Sequence, residues 1–391
     1  MNRVINMAKK KQIEYQGFEQ GPIRPPSEAS SLLIRLTRNC PWNRCAFCPV
    51  YKNTSFSVRP LEHIIKDIDK VKIHIDRIQT YCSTGIIDKE RATALWNQTD
   101  PEQQIEFHAA LNWFANGMQS VFLQDANSLI MKPEHLIEIL SHLRALFPNI
   151  RRVTSYARSH TISRIKQEDL NAIAASGLNR IHIGLESGSN EVLVLVKKGV
   201  DKASHIKAGQ KVKQAKMELS EYIMPGLGGQ SLSEKHALET ADAINQINPD
   251  FIRFRSLAIP STIPLKRMVD QGQFAPCSDI QIAREIHLMI SHFNNIQSVI
   301  TSDHVLNLFE DVQGTLPDNQ TKMLSIIENF LDLPPKEQMI FQVGRRLGIM
   351  QYMSQLGHQP LRNQVESICN QMNISPDNVD ASIGEIITRF I

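Results

Sequence analysis

Six short apolar runs, each ending in polar or glycine-rich residues and separated by helical periodicity, limit what this 391-residue chain can fold into. They lie at 31–36, 121–123, 152–156, 180–185, 219–224 and 251–255. Helical spacing fills most of the gaps, at 61–78, 103–115, 133–147, 167–175 and 233–244, with two helical stretches between 186 and 216. An irregular stretch holding Cys82, Gly85 and Trp96 interrupts the first long connection. Strands that alternate with helices run parallel, because each helix carries the chain back across the sheet. The expected fold is therefore α/β, a partial (β/α)6 TIM-like barrel, closed or partly closed. An open Rossmann-like sheet is the weaker alternative, since no Gly-x-Gly-x-x-Gly follows the first run. Beyond 264 the pattern turns mainly helical, with one candidate strand at 298–301. The expected organisation is an N-terminal tail over 1–24, a barrel domain over 25–264 and a C-terminal helical domain over 265–391.

Directly after the first run comes Asn39-Cys40-Pro41-Trp42-Asn43-Arg44-Cys45-Ala46-Phe47-Cys48-Pro49. Three thiolates on one short loop are a ligand set. Iron–sulfur clusters are normally held by four thiolates, so a set of three leaves one iron open to a small molecule. A Cys-x-x-Cys pair with one further ligand is also zinc spacing, and that reading stays open on the loop alone. The remaining cysteines, Cys82, Cys277 and Cys369, lie far apart and read as buried or inert thiols rather than a disulfide framework, with a part in catalysis as the alternative for Cys82.

The three-cysteine loop after the first strand, with Phe47 just before the last cysteine, resembles that of the radical S-adenosylmethionine (radical SAM) enzymes. The first gap is one residue longer than the family's usual spacing. The segments Arg180-Ile181-His182-Ile183-Gly184-Leu185-Glu186-Ser187 and Glu221-Tyr222-Ile223-Met224-Pro225-Gly226-Leu227-Gly228-Gly229 are similar to the family's fourth- and fifth-strand regions, in the same order. The resemblance spans roughly 25–264. It implies a 4Fe-4S cluster on Cys40, Cys45 and Cys48 and S-adenosylmethionine bound at the open iron. It further implies reductive cleavage to a 5′-deoxyadenosyl radical, hydrogen abstraction from an unidentified small-molecule substrate, and an electron donor such as flavodoxin or ferredoxin.

Barrel enzymes place their sites at the carboxyl ends of strands. By the resemblance, Asp125 and Asn127 stand where the family receives the methionine ammonium, although Gln124-Asp125-Ala126-Asn127 departs from its Gly-Gly-Glu-like turn. Arg158 suits the methionine carboxylate, Glu186 and Ser187 the ribose hydroxyls, Gly226 and Gly228 the adenine side, and Phe47 the adenine itself. The plain alternatives are an Asx turn around Asp125, a surface ion pair for Arg158 and a water-excluding role for Phe47. On the substrate side, Asp303 and His304 sit together after the candidate strand, and Arg253 and Arg255 share one face of the sixth. An inward arginine needs an anionic partner, whether Asp303, the methionine carboxylate or a substrate acid. Arg253, Asp303 and His304 are the expected catalytic group, with a structural ion pair between strand and helical domain as the plain alternative.

Composition narrows the partners. With 42% hydrophobic residues, 21% charged residues and a net charge of +3, the chain is an ordinary soluble globular protein. No apolar run approaches ~18 residues, so the expectation is cytoplasmic, without a membrane span. The basic runs, Lys9-Lys10-Lys11, the lysines between Lys207 and Lys216, and Arg345-Arg346, read as solvated faces. They lack interleaved aromatics, which argues against nucleic acid. Within the resemblance, the fifth- and sixth-strand regions look like oxygen-independent coproporphyrinogen oxidases, an alternative oxidoreductase reading. The absence of a second cysteine group argues against branches with auxiliary clusters. A non-catalytic iron–sulfur or zinc binding protein is the alternative from another class.

Overall fold

Strand order follows sequence order throughout the sheet. In the computed structural model, which describes residues 14–82 and 87–387, Lys9-Lys10-Lys11 and Gly85 lie outside the described residues. The strands β1 (Leu32–Arg35), β2 (Ser120–Gln124), β3 (Arg152–Ala157), β4 (Arg180–Glu186), β5 (Glu218–Ile223), β6 (Phe251–Phe254) and β7 (Val299–Thr301) pair in parallel, neighbour by neighbour. A short β8 (Gly314–Thr315) closes the series antiparallel to β7. β1 and β8 are the two ends of the sheet, which is therefore a partial barrel. The sheet extends beyond the six expected strands: the candidate at 298–301 joins it as a seventh parallel strand. The two-residue β8 is too short to leave a periodic signal.

Side-chain alternation sorts the strands into two environments. Ile34, Val121, Leu123, Val153, Ile181, Ile183, Leu219, Ile252 and Phe254 belong to the apolar core. The opposite face carries Phe122, Tyr156, His182 and Tyr222 on β2 to β5. Their ring centroids are 5.1 Å apart for Phe122 and Tyr156, 5.7 Å for Tyr156 and His182, and 5.7 Å for His182 and Tyr222. Near the amino ends of the strands, the buried Glu28 carboxylate accepts from the Ser31 hydroxyl at 2.5 Å and lies 3.4 Å from Arg152.

Helices Leu61–Tyr81, Gln104–Ala115, Pro133–Leu146, Gln167–Ala175, Lys202–Gln214 and Gly229–Ile247 connect the strands. A helix at Lys89–Asn97 occupies part of the stretch expected to be irregular, capped by the Asp88 side chain on the Arg91 amide. Leu95 is its one buried residue, so it has no apolar stripe for sequence to reveal. Residues 14–24, expected to be tail, make definite contacts. Phe18 is buried, and the Tyr15 hydroxyl donates to Asp67 at 2.7 Å.

The C-terminal helices Asp279–Ser291, Gln320–Leu331, Pro335–Arg346, Gln359–Gln371 and Val379–Ile387 contribute to the same apolar core as the barrel. Phe309 meets Phe330 at 5.3 Å and Phe341 at 6.2 Å between ring centroids, and all three are fully buried. Arg345 and Arg346, expected on a solvated face, are buried as well. Arg345 donates to the carbonyls of Asn307 at 2.9 Å and Leu308 at 3.0 Å, while Arg346 reaches Leu306 and pairs with Asp279. A guanidinium can be buried when fixed acceptors replace water at its N–H groups. The pair therefore pins the segment after β7 that carries Asp303 and His304.

Phe341→Ala should lower the free energy of unfolding by about 3–5 kcal/mol, the cost of a large cavity in a packed core. Urea titration of the purified protein measures it. A loss under about 0.5 kcal/mol, the range of surface substitutions, would show that the ring cluster is not a core.

Candidate active site

The three cysteines lie between the strands of a small antiparallel ribbon, Thr37–Arg38 with Ser57–Val58, at the carboxyl end of β1. The ribbon pins both ends of the loop. Behind it, Ala46 and Phe47 pack with Val192, Val196, Leu227, Ile263, Leu265 and Phe274, and Cys45 and Cys48 lie against this cluster. The Ala46 amide donates to the Val196 carbonyl at 2.8 Å, and the Leu265 amide donates to the Ala46 carbonyl at 3.0 Å. Phe47 is therefore mostly buried behind the loop. Trp42 fastens the loop to the turn after β4, its indole N–H donating to the Lys197 carbonyl at 2.7 Å. Gly199 sits on that ring with φ of +70°, and a Cβ there would fall 2.3 Å from the indole. Only glycine fits.

Asp125, fully buried at the end of β2, accepts from three donors. They are Arg35 at 3.0 Å, the Asn39 amide at 3.3 Å and the Tyr51 hydroxyl. Two of these bracket the cysteines in sequence, so the carboxylate ties the loop's start and end to the sheet. Asn127 is likewise engaged, its amide donating to Thr161 at 2.8 Å and its carbonyl accepting the Arg158 backbone amide at 3.0 Å.

Arg158 and Lys198 stand beside the thiols. Burial pushes the Cys45 thiol up, while the charges of Lys198 and Arg158 pull it back toward thiolate. Burial also raises Cys48, opposed by the Val50 amide and by Lys198. For Lys198 burial would favour the neutral amine, but Glu186 and Cys45 outweigh it and hold its pKa above the ordinary lysine value. Its ammonium donates to Glu186 Oε1 at 2.9 Å, and Arg158 donates to the Lys198 carbonyl at 2.9 Å. A register shift between Gly184 and Glu186 gives Glu186 a left-handed φ of +63° at the end of β4. Such bulges re-aim side chains. A Cβ on Gly184 would fall 2.2 Å from Glu186 Oε1 and 3.1 Å from the Lys198 ammonium, so that glycine makes the space this pair occupies.

Ser187 turns away into a buried network. Its hydroxyl donates to His236 Nδ1 at 2.8 Å, and His236 Nε2 donates to the Met224 carbonyl at 3.1 Å. Glu285 accepts the Gly226 amide at 2.7 Å and the Ser233 hydroxyl, holding the loop after β5 where Gly226 has φ of +84°. Gly228 is packed tightly as well, since a Cβ would lie 2.9 Å from the Leu232 carbonyl. The structure thus brings together Cys40, Cys45, Cys48, Arg158 and Glu186. Asp125, Asn127 and Ser187 point their polar atoms into the protein.

Arg253 pairs with Asp303 at 3.1 Å. His304 is lowered to about 4 by burial and by the nearby charge of Arg255, leaving the imidazole neutral at pH 7. Sequence reasoning missed Lys198, Tyr51, Trp42 and Glu285. A Lys197-Lys198-Gly199 run looks like any solvated turn, and the other three work through partners distant in sequence.

Among the described residues no three His, Cys, Asp or Glu side chains gather as a cage for a single ion. The three thiols nonetheless lie within electrostatic reach of one another. Three thiolates are the donor set a cluster takes, and the Arg158 and Lys198 charges beside them offset its negative charge, so the residues present fit one. A cavity of about 790 Å³ lined by Arg151, Arg152, Arg180 and Lys216 opens at the amino ends of β3 to β5, the opposite end of the strands from the cysteines.

A family model described as the radical SAM superfamily matches residues 34–241, more than half of the chain. The chain belongs to the radical SAM superfamily. Curated relatives include the tRNA uridine(34) acetyltransferases of Methanocaldococcus infernus and Methanocaldococcus jannaschii. The first is 21% identical over 267 residues, covering 65% of this chain and 48% of that protein. The second is 20% identical over 274 residues, covering 65% and 47%. This radical SAM protein spans about half the length of the curated relatives it matches. Among solved structures, coproporphyrinogen III oxidase from Escherichia coli is similar with a TM-score of 0.45 and 15% identity, over 67% of this chain and 52% of that one. The Methanocaldococcus infernus Elp3 has a TM-score of 0.42 and 15% identity, over 61% and 60%. The family match ends before β6, so Arg253, Arg255, Asp303 and His304 lie outside it.

Glu19 provides a pH-dependent test of the loop's foundation. It contacts Arg38, Arg59 at 3.2 Å and Arg35 at 3.6 Å. Burial alone would raise its carboxyl, but the Arg38 hydrogen bond and the charges of Arg59 and Arg35 hold it below the ordinary 4.5. Its stabilisation is complete above 4.5 and is lost as pH falls through the lower folded value. Glu19→Gln should therefore cost about 1–2 kcal/mol at pH 7, with the gap to the parent closing below pH 4.5. Equal gaps by urea titration at pH 7 and at the lowest pH where both fold would contradict the network.

Proposed function

We propose that this protein cleaves S-adenosylmethionine reductively, with a 4Fe-4S cluster held by Cys40, Cys45 and Cys48, and that the resulting radical abstracts hydrogen from a substrate. Cys40, Cys45 and Cys48 would hold the cluster, whose contribution would be the one electron that splits the sulfonium into methionine and a 5′-deoxyadenosyl radical. The carrying observation is the grouping of three free cysteines with Arg158, Lys198 and Glu186 at the carboxyl ends of parallel strands. Arg158 and Lys198 offset thiolate charge, and the apolar cluster behind Cys45 and Cys48 keeps water from that side. Glu186, which gives Lys198 only Oε1, and the Gly226 loop would bind S-adenosylmethionine, whereas Asp125 and Asn127 are engaged within the fold. The electron comes from a small reductant protein such as flavodoxin or ferredoxin.

The substrate is a second matter. The curated relatives are named for tRNA, and that favours RNA as a second reading against the expectation of a small molecule. No helix among the described residues is long and apolar enough to cross a membrane.

Anaerobic reconstitution with iron and sulfide, followed by dithionite and S-adenosylmethionine, should yield 5′-deoxyadenosine. Cys45→Ala should lose both the visible absorption and the product. A parent protein that holds the cluster yet makes no 5′-deoxyadenosine would leave a binding protein instead. Stimulation of product formation by bulk tRNA would favour the RNA reading.

A further inference from the structure

The barrel face of the sheet carries one cation more than its own carboxylates satisfy. Arg253 and Arg255 follow the same pleat of β6, and Asp303 takes Arg253. Arg255 has no ion pair or side-chain hydrogen bond among the described residues. Its guanidinium lies 4.8 Å from the Tyr222 ring centroid, over the aromatic row formed by Tyr156, His182 and Tyr222. The strand end itself is fixed, because the Arg255 amide donates to the Ile223 carbonyl at 2.9 Å. On the same β5–β6 wall, the Tyr222 hydroxyl, the Arg253 Nε and, farther toward the amino ends, the Ser220 hydroxyl are buried without a hydrogen-bond partner of normal geometry among the described residues. Buried polar groups are seldom left so, and a cluster of them on one wall points to a polar ligand.

We infer that Arg255, with the Tyr222 hydroxyl, is the anchor for a carboxylate or phosphate group of the substrate, which makes the substrate an anion. This rests on the reaction proposed above. The alternative source of such a group is S-adenosylmethionine, through its methionine carboxylate. The electrostatics separate the two: the thiols feel Arg158 and Lys198, whereas Arg255 acts on Tyr222, Tyr156 and His304. A guanidinium resting over an aromatic ring can still present N–H groups to a bidentate oxyanion. Arg253, braced by Asp303, flanks the same position and supplies a second positive wall. The anionic end of the substrate would then lie on the β5–β6 side of the barrel, with its reacting carbon toward the cysteine loop.

The reconstituted protein, saturated with S-adenosylmethionine, is titrated calorimetrically with succinate and separately with inorganic pyrophosphate. The parent should bind at least one, and which one tells carboxylate from phosphate. Arg255→Gln should weaken that binding at least tenfold, with iron content and affinity for S-adenosylmethionine unchanged. Arg255→Lys should retain part of it, and Tyr222→Phe should weaken it less than Arg255→Gln. The inference is overturned if neither probe binds the parent or if Arg255→Gln binds as the parent does. It is equally overturned if Arg255→Gln loses affinity for S-adenosylmethionine to the same extent, which would assign Arg255 to that ligand. Arg255-dependent probe binding in a protein that makes no 5′-deoxyadenosine would retain the anion site and discard the proposed reaction.

Discussion

At the end of β2 a single buried carboxylate, Asp125, holds Arg35 from β1, the Asn39 amide at the start of the cysteine loop and the Tyr51 hydroxyl just past its end. A buried charge is tolerated only when paired and hydrogen-bonded, and removing one partner typically costs about 3–5 kcal/mol. The loop therefore cannot leave this conformation cheaply. Glu19 and Asp67 extend the arrangement outward by fixing Arg35, Arg38 and Arg59, so the cysteine loop rests on a lattice of alternating charges. Trp42 clamps the cysteine loop on one side, and Phe47 and its neighbours back it on the other.

The same logic runs along the strand ends. Glu186, re-aimed by the shift in register at the end of β4, meets Lys198 over Gly184, and Glu285 reaches from a C-terminal helix to hold the Gly226 amide. Farther round, Arg345 and Arg346 fasten the segment after β7 by its carbonyls. The C-terminal helices thus position both the loop after β5 and the Asp303 region, while the family match covers neither those helices nor β6. The cysteine loop and Glu186 lie within the matched residues, and Arg253, Asp303 and the C-terminal helices lie beyond them.

Much of this was legible in the sequence, because local patterns encode it. Apolar alternation marked the first six strands, cysteine spacing marked the loop at the carboxyl end of β1, and Glu186 was expected at a strand end, where it lies. What stayed hidden depends on distant partners. Asp125 reads as a ligand for a cation until Arg35 and Tyr51 arrive from other parts of the chain. Ser187 reads as a ribose contact until His236, 49 residues on, captures its hydroxyl. Lys198 and Arg346 look like solvated charges because composition carries no record of the carboxylate or carbonyls they meet. The helix Lys89–Asn97 and strand β8 escaped for a simpler reason: with one buried residue, or only two residues in all, neither repeats often enough to show a period.

The cluster proposed on Cys40, Cys45 and Cys48 leaves one iron open for S-adenosylmethionine. Electron paramagnetic resonance of the dithionite-reduced, reconstituted protein, recorded with and without S-adenosylmethionine, tests it directly. Direct ligation of the open iron should shift the g-values of the reduced cluster when S-adenosylmethionine is added. Spectra that superimpose, with the cluster fully loaded and S-adenosylmethionine bound, would mean that the ligand does not reach the iron and that the account of this site is wrong.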